Sequence, residues 1–125
     1  MPFQNAAFDL VSESTMFATL PDDRVRTVIA TEMIRVCRPG GYLLLVDWRV
    51  QKPWDQRYKA LTRSELRRLF AVSNKTSVVC IQHGALVPPL GRLLSSYAGP
   101  LYFLVALLCP ALVGQVTYLL RKNPE

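Results

Sequence analysis

The stretch Glu32-Met-Ile-Arg-Val-Cys-Arg-Pro-Gly-Gly-Tyr-Leu-Leu-Leu-Val-Asp-Trp-Arg49 contains the signals that decide the fold. Its first half is charged and helix-like, and Pro39 ends the helix because the residue before a proline is pushed out of the helical region. Gly40 and Gly41 then predict a turn with positive φ. Tyr42–Val46 follows as an apolar run without alternation, which predicts a strand that is covered on both faces.

Length and composition predict one globular domain. The chain has 125 residues, of which 50% are hydrophobic and 19% are charged, and its net charge is +6. Seven basic residues fall between Arg49 and Arg68. Because Asp55 and Glu65 interrupt this run, a solvated helix face is favoured over contact with phosphates or lipid headgroups. We therefore expect no nucleic-acid partner.

Cysteine and histidine usage predicts neither a disulfide framework nor a metal site. The three cysteines are odd in number and widely spaced (Cys37, Cys80 and Cys109). A single histidine, His83, is too few for a catalytic triad or a histidine-rich metal site. The first twenty residues have acidic side chains and no basic start, unlike a signal peptide, so we expect a reducing, cytoplasmic location.

The segment Ala98–Leu120 is uncharged over 23 residues, and a membrane helix needs about 20. Pro100 and Pro110 interrupt it, and Val116–Leu120 is rich in residues that favour strands. The pattern predicts a short buried helix of about a dozen residues followed by a strand. A membrane segment is disfavoured, although a membrane-surface role for residues 98–120 stays open as an alternative.

The order of elements predicts an α/β fold. Phe8–Ser12 favours a strand, and Asp22 or Asp23 can cap a helix whose apolar face carries Val25, Val28, Ile29, Met33, Val36 and Cys37. The capping box Thr62–Glu65 begins a helix that runs to about Phe70. Thr76–His83 and Val116–Leu120 favour two further strands, which gives four strands with three or four flanking helices.

Polar side chains follow two of these strands. Ligands bind beyond the carboxyl ends of the strands in open α/β sheets. Ser12–Thr15 follows the first strand and Asp47–Arg49 follows the second, so the two segments are neighbours if the strands are adjacent. This edge is the predicted site.

The ordered series of motifs resembles the second half of class I S-adenosylmethionine-dependent methyltransferases of the type 11 group. The matching stretches are Phe8-Asp-Leu-Val11, Leu20-Pro-Asp22, Glu32–Gly41, Leu61–Phe70, Pro88-Pro-Leu-Gly-Arg92 and Tyr118-Leu-Leu-Arg-Lys122. The resemblance implies a Rossmann-like sheet in the order 3-2-1-4-5-7-6, with an antiparallel last strand. Residues 1–125 would form a single partial domain that contains strands four to seven, the C-terminal half of that sheet.

The resemblance also implies roles for the predicted site residues. Glu13, Ser14 and Thr15 match positions that line the methionine end of the cofactor. Met16 and Phe17 would face the methyl acceptor, and Trp48 would close that side. Asp47 either acts as a general base on the acceptor or caps the turn that follows its strand, and both readings stay open.

The cofactor-binding half of the family pattern is not found in these residues. The family's glycine-rich loop follows its first strand, whereas the only adjacent glycines here, Gly40 and Gly41, precede a strand. We therefore expect S-adenosylmethionine to bind this chain weakly or not at all, and whether the isolated chain is an active enzyme is left open. The acceptor is expected to be a small molecule, because Ser12–Thr15 lacks the proline-rich tetrapeptide of nucleic-acid amino-methylating enzymes.

Two other functions compete with this hypothesis. An exposed sheet edge at Phe8–Ser12 would suit a non-catalytic interaction module or a split-enzyme subunit, pairing with itself or with an N-terminal half. A membrane-surface protein would combine residues 98–120 with the basic run.

Overall fold

The computed structural model describes residues 2–71, 74–84, 88–97, 99–109 and 113–124. Within these ranges the elements in chain order are β1 (Phe8–Ser14), a 3-10 helix (Phe17–Thr19), α1 (Asp23–Val36), β2 (Cys37–Trp48), α2 (Arg63–Phe70), β3 (Thr76–His83), α3 (Pro88–Tyr97), α4 (Gly99–Leu108) and β4 (Gln115–Lys122). The predicted α/β class is confirmed.

The four strands form one mixed sheet in the order β1-β2-β4-β3. β1 and β2 are parallel, and β4 runs antiparallel to both of its neighbours. Tyr42–Val46 pairs with Leu10–Ser14 on one side and with Thr117–Arg121 on the other. The predicted interior strand, the strand order and the antiparallel last strand are therefore confirmed.

The proline and glycines lie inside β2 rather than in a turn before it. β2 begins at Cys37, and between Cys37 and Tyr42 it advances five residues while the paired positions of β1 advance only two, so the extra residues form a bulge. Gly40 has the predicted positive φ, +77°. Gly41 allows β2 to lie close to β1, because a Cβ at this position would lie 2.8 Å from the carbonyl oxygen of Asp9.

One face of the sheet holds the core of the described residues. Leu43 and Leu45 of β2 are fully buried and pack with residues of α1 and α2. The opposite face carries Tyr42, which is 39% exposed, and the half-buried Leu44 and Val46. The expectation that both faces of β2 are covered is therefore wrong for this part of the chain, because α1 and α2 pack on the same face.

α1 begins as predicted and buries part of the predicted apolar face, because Met33, Val36 and Cys37 are buried. The Asp22 carboxylate accepts a hydrogen bond from the Arg24 amide at 2.8 Å, which confirms the cap. Val25 and Val28, expected in the core, are 41% and 62% exposed. The buried stripe instead begins at Arg26, because that guanidinium has carbonyl partners beneath the helix.

α2 forms half of the predicted capping box. The Thr62 hydroxyl accepts a hydrogen bond from the Glu65 amide at 3.4 Å. The Glu65 carboxylate accepts hydrogen bonds from Arg68 instead of reaching back to the cap. The helix ends at Phe70, where Ala71 adopts a left-handed conformation with φ 46°.

The apolar segment before β4 is a helix, but it is not buried. α4 has no buried residue, and Phe103 and Leu107 are 74% and 79% exposed. The expectation of a buried helix is wrong because α4 packs along α3 instead of entering the core cluster. No helix in the described ranges combines the length and the apolar character needed to cross a membrane.

The bulge in β2 gives a prediction for Gly41→Ala. The added methyl group would meet the carbonyl oxygen of Asp9 at 2.8 Å and the Cys37 sulfur at 2.9 Å, so the strands must shift. We expect a loss of about 1–3 kcal/mol in the free energy of unfolding, measured by urea denaturation. Gly99→Ala is the control, because a Cβ there meets nothing within 4 Å. Equal stability of the two variants would contradict the prediction.

Candidate functional site

The candidate site lies at the carboxyl edge shared by β1 and β2. Ser14 pairs with Val46, and the Thr15 amide donates to the Val46 carbonyl oxygen at 2.7 Å. The two predicted segments are therefore side by side. Thr15 has a φ of 56°, a left-handed conformation that is unusual for a residue other than glycine. The end of β1 thus turns sharply just before the 3-10 helix.

A cleft of about 410 Å³ opens at this edge. Its lining residues come from the turn after β1 and from the loop after β2, and they are Thr15, Ala18, Thr19, Trp48, Lys52, Asp55, Arg57 and Tyr58. Two of the residues predicted to form the site, Thr15 and Trp48, are in the lining. The Lys52 ammonium lies 4.6 Å from the centre of the Tyr58 ring. Aromatic and polar groups together suit a small organic molecule.

Glu13 is a buried carboxylate near this cleft, with only 9% of the residue exposed. Its Oε2 accepts a hydrogen bond from the Met16 amide at 3.0 Å, whereas its Oε1 is buried and has no hydrogen-bond partner among the described residues. Burial raises the pKa of Glu13 to about 7; the Met16 amide opposes this shift, and the charge of Asp47 adds to it. Glu13 can therefore hold or release a proton near neutral pH.

Asp47 is also buried, but both of its oxygens are occupied. Oδ1 accepts a hydrogen bond from the Trp48 amide at 2.7 Å, and Oδ2 accepts one from the Ala18 amide at 3.0 Å. Burial raises the pKa of Asp47, and hydrogen bonds from backbone amides work against that rise. Of the two roles that the sequence left open, this geometry favours the cap, because the carboxylate holds the 3-10 helix against the end of β2.

Phe17 and Met16 were expected to face the acceptor. Phe17 is fully buried, and its ring packs edge-to-face on Phe70 with 5.8 Å between the centroids. It lies in the core rather than in the cleft, because the 3-10 helix directs its side chain inward. Met16 is half-buried and packs against the same core, and Ser14 is exposed.

Arg26 links the two segments that line the candidate site, and it was not among the residues predicted from the sequence. Its Nη1 donates to the carbonyl oxygens of Phe17 and Lys59, both at 2.9 Å, and of Leu20 at 3.3 Å. Its Nη2 lies 3.4 Å from Glu65 Oε2. Burial lowers the pKa of Arg26, while the charge of Glu65 opposes this shift. The guanidinium therefore joins the turn after β1 to the loop after β2.

Backbone hydrogen bonds complete this junction. The Lys59 amide donates to the Ala18 carbonyl oxygen at 3.0 Å, and the Leu61 amide donates to that of Trp48 at 2.8 Å. The Tyr118 hydroxyl donates to the Leu61 carbonyl oxygen at 3.2 Å. The loop after β2 thus folds back on the turn after β1.

The signal for Arg26 in the sequence is its helical spacing with Ala30 and Met33, which places an arginine within an apolar stripe.

A second cleft, of about 480 Å³, lies at the opposite edge of the sheet and includes Asn5, Arg35, Lys75 and Lys122 in its lining. None of the residues predicted to form the site contributes to it, so we assign the candidate site to the carboxyl edge.

Among the described residues, no three His, Cys, Asp or Glu side chains are arranged to hold a metal ion.

Several solved protein structures are similar to this chain. No protein-family model matches the sequence, and no curated protein is significantly similar to it. A SAM-dependent methyltransferase from Methanosarcina mazei has a similar structure, with a TM-score of 0.65 and 17% identity over 100% of this chain and 64% of its own. The cyclase SpnF has a TM-score of 0.61 and 14% identity over 100% of this chain and 54% of its own.

A further similar structure contains ligands. The 1,6-didemethyltoxoflavin-N1-methyltransferase from Burkholderia thailandensis, with bound 1,6-didemethyltoxoflavin and S-adenosylhomocysteine, has a TM-score of 0.61 and 16% identity. The similarity covers 97% of this chain and 46% of that protein. The chain thus spans between 46% and 64% of the length of these three structures. At these identities the likeness shows a shared fold, which is the one that the sequence motifs imply.

The buried Arg26 predicts a large cost for Arg26→Met. Methionine fills a similar volume but leaves three carbonyl oxygens without their donor and removes one of the cations that pair with Glu65. We expect the free energy of unfolding in urea to fall by about 2–4 kcal/mol. Arg24→Met, on the exposed side of the same helix, should change it by less than about 0.5 kcal/mol. If R26M were as stable as R24M, the junction would not depend on this cation.

The raised pKa of Glu13 predicts a pH-dependent stability. The native pKa of about 7 exceeds the ordinary value of 4.5, so the native state binds this proton more tightly than the unfolded state does. The stabilisation is complete below the ordinary pKa and is lost as the pH rises through the native pKa. The loss is on the order of 3 kcal/mol for a shift of this size.

Urea denaturation between about pH 5 and about pH 8 measures this effect. Glu13→Gln should abolish the corresponding decline in stability, because the amide does not titrate. Asp9→Asn removes an exposed carboxylate from the other end of the same strand and should retain the decline. A decline that persists in E13Q would assign the pH dependence to another group.

Proposed function

We propose that this chain, which has the fold of the C-terminal part of class I S-adenosylmethionine-dependent methyltransferases, supplies the acceptor side of a methyl-transfer site. The acceptor in this proposal is a small molecule that occupies the cleft at the carboxyl edge. The cofactor is S-adenosylmethionine, which the Burkholderia enzyme's bound S-adenosylhomocysteine supports by analogy.

The observation that carries the proposal is the state of Glu13. Its buried Oε1 makes no hydrogen bond of ordinary geometry among the described residues, while the Phe17 amide lies close enough to the carboxylate to lower its pKa. A buried acceptor without a full hydrogen bond is costly unless a ligand supplies a donor. It lies at the end of β1, the strand that matches the fourth strand of the family sheet. A cationic or hydrogen-bond-donating ligand would satisfy this oxygen. Glu13 therefore fits the methionine end of the cofactor, beside Ser14 and Thr15.

The other side chains have simpler tasks in this proposal. When bound, S-adenosylmethionine supplies an electrophilic methyl group on a sulfonium, so the protein needs mainly to align the acceptor and exclude water. Trp48 and Tyr58 offer flat walls for the acceptor. Asp47 acts as a positioning residue, because it fixes the turn that carries Thr15 and Ala18.

We further propose that a complete site needs polypeptide beyond these residues. The only adjacent glycines in the sequence, Gly40 and Gly41, lie inside β2, so no glycine pair follows a strand in the part of the chain that the structure describes. β1 is an edge strand of the described sheet, and Phe8 and Leu10 on it are 37% and 54% exposed. Additional strands pairing along β1 would cover this edge and carry the missing loop.

Ligand titration followed by amide NMR tests the proposal. Millimolar S-adenosylhomocysteine should shift the amide resonances of residues 13–17 and 47–48 in the purified chain, while those of β3 stay unchanged. Glu13→Gln should reduce these shifts, because the amide cannot offer a charged acceptor. Asp9→Asn, which alters the opposite end of β1, should leave them as in the wild type.

Three outcomes would count against the proposal. Absence of any shift at millimolar ligand would remove the cofactor assignment. Shifts confined to the cleft at the opposite edge, around Lys75 and Lys122, would place the ligand site elsewhere. Micromolar affinity in calorimetry would show that the chain needs no further polypeptide to hold the cofactor.

A further inference from the structure

The helices α3 and α4 expose an unusual amount of apolar surface. The exposed large apolar side chains are Leu93, Tyr97, Leu101, Phe103, Leu104, Leu107 and Leu108, and we call them the α3–α4 surface. Tyr97 and Leu107 are 85% and 79% exposed, and Phe103 is 74% exposed. Contiguous apolar patches of this kind mark places where a protein meets a partner or a membrane.

α4 is apolar on its outward face as well as on its inward face. Its sequence, Gly-Pro-Leu-Tyr-Phe-Leu-Val-Ala-Leu-Leu, contains no charged residue. Tyr102, Val105 and Ala106 are half-buried, while Leu104 and Leu108 point outward and are 49% and 67% exposed. A helix on a water-facing surface normally carries polar residues on its outer side, and a helix that is apolar all round lies in a protein core or in lipid.

The α3–α4 surface is attached at the same carboxyl edge as the candidate site. The Gly84 amide, before α3, donates to the Gln115 carbonyl oxygen at 3.0 Å. The chain therefore leaves the sheet before α3 and returns to it after α4 at the same place, the start of β4. The Arg49 Nε donates to the Val113 carbonyl oxygen at 2.8 Å. This contact joins the loop after β2 to a residue just before β4, where the segment with α3 and α4 returns to the sheet.

The loop after β2 and the segment that contains α3 and α4 have mainly basic residues among their charged residues. The loop 49–62 carries four basic residues (Arg49, Lys52, Arg57 and Lys59) against one acidic residue, Asp55. The chain has no acidic residue between Gly84 and Leu120, and Arg92 on α3 is exposed. Trp54 in the same loop is 81% exposed. Among the described residues, the Lys59 ammonium pairs with Asp23 and Glu65, whereas Lys52 and Arg57 face no acidic residue outside this loop. A basic loop with an exposed tryptophan, joined through Arg49 and Val113 to an apolar helix pair, fits a protein that lies on an anionic membrane surface.

We propose that the α3–α4 surface inserts into one leaflet of an anionic bilayer, with the basic loop 49–62 on the headgroups. The ten residues of α4 extend about 15 Å, about half the hydrocarbon thickness of a bilayer, so the helix can enter one leaflet without crossing. A second copy of the chain is the less suitable occupant, because protein interfaces have a polar rim and α4 offers none. This inference does not depend on methyl transfer.

Vesicle flotation of the full chain tests the proposal. The chain should float with phosphatidylcholine vesicles that contain phosphatidylglycerol, bind pure phosphatidylcholine less, and lose affinity as salt is raised. The double variant Phe103→Ser, Leu107→Ser should weaken binding by a factor on the order of 10 or more, because two apolar side chains no longer enter the lipid. Both side chains are exposed, so the fold should tolerate the change.

Two further variants separate the contribution of the apolar side chains on α4 from that of the basic residues in the loop 49–62. Val28→Ser replaces an apolar side chain that is 62% exposed on α1 and should bind like the wild type. Arg57→Glu, in the basic loop, should weaken binding only to vesicles that contain phosphatidylglycerol. Circular dichroism of each variant confirms that it is folded.

Clear results would overturn the proposal. These are absence of flotation with either vesicle, or equal binding by the wild type and the double variant. A concentration-dependent dimer in analytical ultracentrifugation, abolished by the double variant and accompanied by no flotation, would identify a second copy as the occupant of the α3–α4 surface.

Discussion

The candidate site depends on one buried cation. Arg26 is fully buried, and its guanidinium binds carbonyl oxygens from the turn after β1 and from the loop after β2. Among the described residues only the Nη1 of this guanidinium is hydrogen-bonded, because Nε and Nη2 are buried without a hydrogen-bond partner. A buried charge is costly without hydrogen bonds, so separating the two segments would remove the bonds that offset this cost. Arg26 does not line the cleft, but it holds together the two segments that do. Glu65 adds an ion pair that ties α2 to the same junction.

Two carboxylates lie near this floor and differ in their partners. Asp47 gives both oxygens to backbone amides, which makes it part of the scaffold. Glu13 gives one oxygen to the Met16 amide and keeps the other without a partner in the described structure. Each negative charge raises the cost of ionising the other carboxylate, and Asp47 contributes in this way to the raised pKa of Glu13. The environment thus distinguishes a structural acid from one suited to a ligand, although both follow a strand.

The surfaces that stay exposed are as informative as the core. The sheet is covered by α1 and α2 on one face, whereas Tyr42 on the other face and Phe8 and Leu10 at the β1 edge are accessible. α4 exposes apolar side chains on its outward face. These surfaces differ in kind, because an open strand edge offers hydrogen bonds to another strand, whereas α4 offers only apolar contact. They therefore call for different partners.

The sequence alone determined the α/β class, the interior position of Tyr42–Val46 and the Asp22 cap, because these follow from local periodicity and turn chemistry. The sequence also located the polar residues after two strands, but the pairing of β1 with β2 brought those strand ends together. Tertiary structure decided the burial of Arg26, the inward turn of Phe17 and the exposure of α4. Each of these depends on contacts with residues distant in the chain, such as Arg26 with Lys59 and Phe17 with Phe70. Hydrophobicity predicts that a side chain prefers burial, but only the packed fold decides which partners are within reach.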